Sequence, residues 1–269
     1  MTVVWAGYVP NAPFLIDPPS FGDVGARTAK ALRDLELLEV YRPDVVVVST
    51  PHWTTRHLFQ VHEGARPRQL FDFAGMPPAL HQRPYEPPGD PAFAKELVEA
   101  GLRGGIPVEA TTTWGLDHGA WAPLLQLAPG AKVPVVPISI RHKDPKGHLR
   151  WGEAMRGALS GPKHRVAFVA TGSIIHDFDR FSPDPTSRWP EGEALEQKVI
   201  DLVLTSDLEG LLHLEPGTWA KLKPEGDLGP LFTLLGTLPQ GFAPRLVFRE
   251  HAFGGFSLTT IEWRPQQQG

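Results

Sequence analysis

The chain has 269 residues, no cysteine, and a formal charge of −4 from 26 basic and 30 acidic side chains. Without cysteine there are no disulfides, thiolate metal sites, iron–sulfur clusters or cysteine nucleophiles, so any metal has only oxygen and nitrogen ligands. The charge leaves no basic field for nucleic acid, and no apolar run approaches the ~18–20 residues that span a bilayer. The start, Met1-Thr2-Val3-Val4-Trp5, lacks the pattern of a secretory signal, so a cytoplasmic location is expected. The 29 prolines and 27 glycines are scattered between periodic segments rather than collected in a linker. One domain over residues 1–265 is therefore expected, with a frayed tail at 266–269.

Residues 3–8 read as a buried strand. Residues 25–41 read as a helix, with Ala29, Leu32, Leu35 and Leu38 spaced by three. The clearest strand is 44–50, a β-branched run after Pro43. Residues 59–91 show little periodicity and many prolines, a long loop with at most one short strand. Helices are expected at 91–102 and 118–127, with the strand-like stretch 106–110 between them. The strand at 133–140 is interrupted by Pro134 and Pro137, which points to an edge or a bulge. A helix at 147–159 and a strand at 165–171 follow, then the longest amphipathic stretch at 191–212 and a short apolar helix at 228–238. Residues 245–263 read as a β-hairpin around Gly254-Gly255. Strands without polar alternation are covered on both faces, so the fold class is α/β: a mostly parallel or mixed central sheet flanked by helices.

In such sheets ligands bind beyond the carboxyl ends of the strands. The segments that follow the strands are Pro10-Asn11-Ala12-Pro13, Pro51-His52-Trp53, Asp117-His118-Gly119 and Gly172-Ser173-Ile174-Ile175-His176-Asp177. Three of the 11 histidines thus fall on one edge. Each has a plain alternative. His52 and His176 suit turns, and Asp117 suits the N-cap of the helix that begins at His118. Asp227 likewise reads first as a helix N-cap, with Glu225 and Glu250 as similar cases. His57 and His62 lead to no site. His142, His148, His164 and His213 read as solvated. His81 could line an entrance, and His251 is ambiguous between a strand surface and a supporting role. There is no Walker A motif, dinucleotide fingerprint, His-Glu-x-x-His or nucleophile elbow, and Ser173 is not read as a nucleophile.

Pro51-His52-Trp53, Phe71-Asp72-Phe73-Ala74-Gly75-Met76-Pro77, Gly115-Leu116-Asp117-His118-Gly119-Ala120-Trp121 and Gly172-Ser173-Ile174-Ile175-His176 occur in that order. Together they resemble the class III extradiol ring-cleavage dioxygenases, the LigB-like superfamily of the protocatechuate 4,5-dioxygenase catalytic subunit, and within it the DOPA-dioxygenase branch. The resemblance runs from Tyr8 to Thr259. It implies a non-haem Fe(II), in some members Zn(II), held by two histidines and a Glu or His, with open positions for substrate and O2. On this resemblance His52 is the second metal ligand. Asp227 is the third, counted back from Leu234-Leu235-Gly236 to the place where DOPA-type members carry Pro-Glu-His-x-x-Pro-Leu. His176 matches the acid/base, and His118 the residue that steadies bound oxygen or substrate. The implied reaction opens a catechol-like ring with O2, within aromatic compound catabolism. Trp53, Trp114, Trp121, Phe71, Phe73 and His81 would wall the substrate. A homo-oligomer is compatible by analogy.

The first ligand position departs from the family, which has His in a Pro-His-x-Pro setting where this chain has Asn11. An amide oxygen is a neutral and weaker donor than imidazole for Fe(II) or Zn(II). Three readings are open: Asn11 as a weak ligand, His251 in place of the lost imidazole, or a site turned to ligand binding or zinc-dependent hydrolysis. The joint presence of His52, Asp227, His118 and His176 favours retained metal chemistry.

Overall fold

The structure, a computed structural model, describes residues 2–159 and 164–266. Its strands are β1 (Thr2–Val9), β2 (Val45–Thr55), β3 (Phe59–His62), β4 (Val108–Thr111), β5 (Val135–Arg141), β6 (Arg165–Thr171), β7 (Phe242–Ala252) and β8 (Phe256–Pro265). The helices are α1 (Ala26–Arg33), α2 (Pro91–Arg103), α3 (His118–Leu127), α4 (Pro145–Leu159), α5 (Pro190–Leu204), α6 (Leu208–Leu212), α7 (Pro216–Leu222) and α8 (Gly229–Thr237). The strands form one mixed sheet in the order β4-β3-β5-β2-β6-β1-β8-β7. Its centre, β5-β2-β6-β1, is parallel, and the β7–β8 hairpin adds antiparallel to β1.

The valine run of β2 explains this layering. Val45 and Val47 face a core built with α2, α4, α5 and α8, while Val46 and Val48 face a second core built with α1 and α3. A strand buried on both sides has no use for polar alternation. The register then fixes the site edge: Val9 pairs with Thr171, and Ser49 with Ala170. The chain therefore leaves β1, β2 and β6 side by side, delivering Asn11, His52 and His176 to one edge.

Several expectations are corrected. The helix expected over 25–41 stops at Arg33, and a separate π-turn spans Leu37–Tyr41 after Glu36 adopts φ +47°. The long stretch 191–212 is two helices, broken at Ser206 (φ +57°), after which Asp207 caps α6 by accepting from Gly210 N at 2.8 Å. β5 is interior rather than an edge. Its ladder toward β3 is the single bridge Val61–Ile138, where a proline costs little, and a register break against β2 supplies the bulge. His148 is buried, not solvated: Nδ1 donates to Asp144 O at 2.6 Å, and Nε2 accepts from Arg141 N at 3.0 Å. Burial holds its pKa down at about 4, so the ring is neutral. Of the expected frayed tail, Gln266 donates to Gly241 O at 2.8 Å, and residues 267–269 lie outside the described residues. No helix among the described residues is long and apolar enough to cross a membrane.

Helix α8 follows directly on a turn that carries Glu225, and it is seated on α4 by backbone contact. A Cβ on Gly152 would overlap the Thr233 carbonyl oxygen and lie 2.8 Å from Gly236 Cα. Gly157, one turn further along α4, faces open space. Gly152→Ala should therefore cost about 1–3 kcal/mol, read as a lower urea midpoint. Gly157→Ala should be neutral or stabilising by up to about 1 kcal/mol. Equal midpoints for the two variants would refute the close helix approach.

Candidate active site

Beyond Ser49 the register between β2 and β5 breaks until Thr54, and His52 sits in this bulge. Its backbone N–H donates to Thr50 Oγ1 at 3.2 Å, and Thr50 Oγ1 donates to Asp117 Oδ1 at 2.9 Å. Asp117 is the N-cap of α3, accepting from Ala120 N at 3.1 Å and from Trp114 Nε1 at 2.9 Å. The plain reading of Asp117 holds, and the cap fixes His118 as the first residue of the helix. The His52 and His118 rings meet edge to face, with centroids 4.2 Å apart.

Asp72, from the long loop after β3, joins these two rings. Its Oδ2 lies 2.8 Å from His52 Nδ1. Its Oδ1 accepts from His118 Nδ1 at 2.9 Å and from His118 N at 2.8 Å. Each imidazole thus points Nδ1 at Asp72 and turns Nε2 toward the cavity. On that side His52 Nε2 lies 3.0 Å from Glu225 Oε1, and Asn11 Nδ2 donates to the same oxygen at 3.1 Å. Asn11 is buried, 3.5 Å from His52 Nε2 through the same nitrogen. His176 Nε2 stands 4.0 Å from Glu225 Oε1. The second oxygen, Glu225 Oε2, is buried and has no hydrogen-bond partner.

Glu225 is held by its backbone, whose N–H donates to Ser173 O at 3.0 Å. Gly226, Asp227 and Leu228 then all adopt left-handed dihedrals, with φ of 57°, 51° and 56°. On the facing loop, Gly172 (φ +147°) turns the chain out of β6. A Cβ there would lie 3.2 Å from Tyr8 Oη and 3.8 Å from Glu225 Oε2.

Burial opposes a charge on His52, but its hydrogen bonds to Asp72 and Glu225 outweigh it and raise the pKa to about 10. Burial would also push Glu225 up, yet the His52 hydrogen bond, the nearby His176 and Asn11 hold it at about 2. Asp72 is pulled well below the usual carboxylate range, against its partial burial, by both histidines. Burial keeps Asp117 raised.

These groups close one end of a cavity of about 580 Å³. Its walls include Phe14, Phe73, Phe178, Phe181, Phe253 and Phe256. The aromatic wall expected from the sequence is mostly elsewhere. Of its six residues only Phe73 lines this cavity; Trp53 and Trp114 stack on each other, and Trp121 is buried with Nε1 donating to Leu70 O at 2.9 Å. His81 packs on Phe71 and Phe73 beside a separate groove.

Four of the five residues singled out from the sequence, Asn11, His52, His118 and His176, meet in the cavity. Asp227 does not line it, because the left-handed turn carries it away and presents Glu225, two residues earlier, instead. Pro224-Glu225 is the signal that could have found it, being the first two residues of the Pro-Glu-His pattern. His251 stands outside the cavity, its Nε2 2.6 Å from the fully buried Glu196. Asp72 lies in the Phe71-Asp72-Phe73 motif, whose letters carry no sign of its two histidine partners.

Among the described residues, His52, Asp72 and His118 bring one donor atom each within 4.8 Å of one another. A cation bound there through the Nδ1 atoms would compete with the two imidazole hydrogen bonds to Asp72. On the opposite face of His52, the unpartnered Glu225 oxygen, His52 Nε2 once its proton is displaced, and the Asn11 amide form a set that a divalent ion would complete. A half-turn of the amide presents its oxygen to the same point.

The family model for the catalytic LigB subunit of aromatic ring-opening dioxygenase matches residues 26–257. Two relatives are named 4,5-DOPA dioxygenase extradiol. The one from Escherichia coli (strain K12) is 36% identical over 138 residues, 51% of this chain and 49% of that protein. The one from Mirabilis jalapa is 26% identical over 238 residues, 87% of this chain and 88% of that protein. The match thus spans about half the length of the first relative and most of the second. The crystal structure of an uncharacterized protein from Escherichia coli K12 shares the fold, with a TM-score of 0.74 at 21% identity over 96% of this chain and 99% of that one. The family match runs through β2, the Asp72 loop, β6 and the Glu225 turn, and the chain belongs to the LigB family of aromatic ring-opening dioxygenases.

Proposed function

We propose that this protein is an extradiol dioxygenase that opens a catechol-like ring with O2, using a divalent metal held by His52, Glu225 and Asn11. The observation that carries this reading is the buried, unpartnered Glu225 Oε2 beside His52 Nε2 and Asn11, at the polar end of an aromatic cavity. Fe(II) is preferred to Zn(II), because a redox-active ion there supplies the electron transfer between ring and oxygen that zinc does not.

The chain's own residues do the rest. Asp72 fixes the His52 tautomer and ring orientation, the usual task of a carboxylate behind a ligating histidine. It holds His118 in the same way, so that His118 Nε2 faces bound substrate or oxygen. His176, whose Nε2 stands 4.0 Å from Glu225 Oε1, is close enough to sit over the reacting edge of a ring and to pass a proton to and from it there. The phenylalanine walls exclude water from that exchange. The cytoplasm is the proposed location.

His52→Ala should lose bound metal while keeping the fold, whereas Asp227→Asn should retain full stoichiometry. Elemental analysis of protein purified without oxygen reads both, and the reverse pattern would restore Asp227 as the ligand. Metal held in full with no catechol cleaved would favour the zinc hydrolase instead.

His176→Phe should keep metal and catechol affinity while ring cleavage falls by about 10²-fold or more. Unchanged turnover would assign His176 a packing role only, between Phe178 and Phe256.

Metal must displace the proton that His52 holds with a pKa of about 10, whereas Glu225, at about 2, stays ionised. Binding therefore releases one proton at neutral pH and weakens as pH falls, about tenfold per unit. Competition titrations against a chelator of known affinity should show ~100-fold weaker binding at pH 6 than at pH 8. A flat profile would separate His52 from the metal.

A further inference from the structure

The cavity carries more information than its ligands. Its polar lining residues are Asn11, His52, His118, Ser173, His176 and Glu225, all gathered at the closed end. Beyond them the wall is apolar and continuous. Phe178 meets Phe256 edge on at 5.1 Å, Phe181 lies 5.6 Å from Phe253, and Phe253 lies 5.9 Å from Phe14, which leads on to Phe21. The rim is apolar as well: Phe178 and Phe181 are 69% and 54% exposed, and Met76 is 37% exposed.

Among the described residues no lysine or arginine lines this cavity. The nearest candidates in sequence are committed elsewhere. Arg180 lies over the Trp189 ring at 3.8 Å and pairs with Asp177 at 3.4 Å. Lys223 pairs with Asp177 at 2.7 Å and with Asp179. His52, which its neighbours hold in the charged form, lies between two carboxylates. A carboxylate or ammonium held along this wall, short of the rim, would lose hydration without gaining a cationic or hydrogen-bonding partner from it, and a buried unpaired charge is far more costly than a buried alkyl group.

Resting on the ring-cleavage reading above, we infer that the substrate is an uncharged catechol bearing a bulky apolar alkyl or aryl substituent. The diol end meets the polar cluster, and the substituent lies along the phenylalanine wall toward the rim. A bare catechol would leave most of the 580 Å³ unfilled, so the substituent is what the cavity is built to recognise.

A matched pair tests this: 3,4-dihydroxyphenylpropionate, and the 4-alkylcatechol in which an isopropyl group replaces its carboxylate. Dissociation constants are measured by calorimetry on metal-loaded protein without oxygen, and cleavage is followed separately in air by product absorbance. The alkyl member should bind at least about tenfold more tightly, and lengthening the alkyl chain should improve binding about three- to fourfold per methylene until it reaches the rim. Phe181→Arg should shift the ratio by about tenfold toward the propionate, and Phe181→Leu should not. Equal or tighter binding of the propionate by the unaltered protein overturns the inference. A preference for the alkyl member with neither compound cleaved leaves the apolar class standing and removes ring cleavage instead.

Discussion

A single carboxylate, Asp72, holds the site edge in register. Both of its oxygens are bonded to histidine nitrogens, and one also accepts the first N–H of α3. Hydrogen bonds of this charge-assisted kind are roughly twice as strong as neutral ones. They fix two ring orientations at once. They also dock the aperiodic loop after β3 against the sheet, since Asp72 has its place only when β2 and α3 are already together. Without that carboxylate the His52 ring could turn, and Nε2 would no longer face Glu225 and Asn11.

The sheet supplies the other half of this arrangement. Because β6 lies between β1 and β2, three separate stretches of chain end at the same level. The break in the β2–β5 ladder lets His52 leave the strand's alternation just where it is needed, as bulges do beside active sites. The apolar cavity is assembled differently. Phe14 comes from the turn after β1, Phe178 and Phe181 from the loop after His176, and Phe253 and Phe256 from the closing hairpin. A polar cluster delivered by the strand ends, the start of α3 and the Glu225 turn thus faces a wall that these other segments supply, so the two can vary separately.

Much of the sheet was legible in the sequence, because a doubly buried strand such as 45–48 has no other reading, and so was the edge that gathers Asn11, His52 and His176. What escaped depended on tertiary partners. Asp72 lies where no periodicity exists, and its role comes from two histidines at distances of 20 and 46 residues. His148 sits among Lys143, Asp144 and Lys146 and looks solvated, yet the α4 start folds it under its own turn. The break at Ser206 interrupts an amphipathic pattern that continues in phase on either side. The phenylalanine wall draws on segments too far apart in sequence to be read as one surface.

The turn at Gly226–Leu228 reaches beyond this protein's own site. Three successive left-handed residues reverse the sense of winding just before α8. Two of them are not glycine, and each gives up about 1–2 kcal/mol relative to the right-handed form. A mirror-image turn sends its side chains to the opposite side from an ordinary helical lead-in of the same length. Counting offsets back from α8 therefore assumes a handedness as well as a spacing. Here that handedness decides which of two carboxylates only two residues apart, Glu225 or Asp227, lines the cavity, and the letters alone carry no record of it.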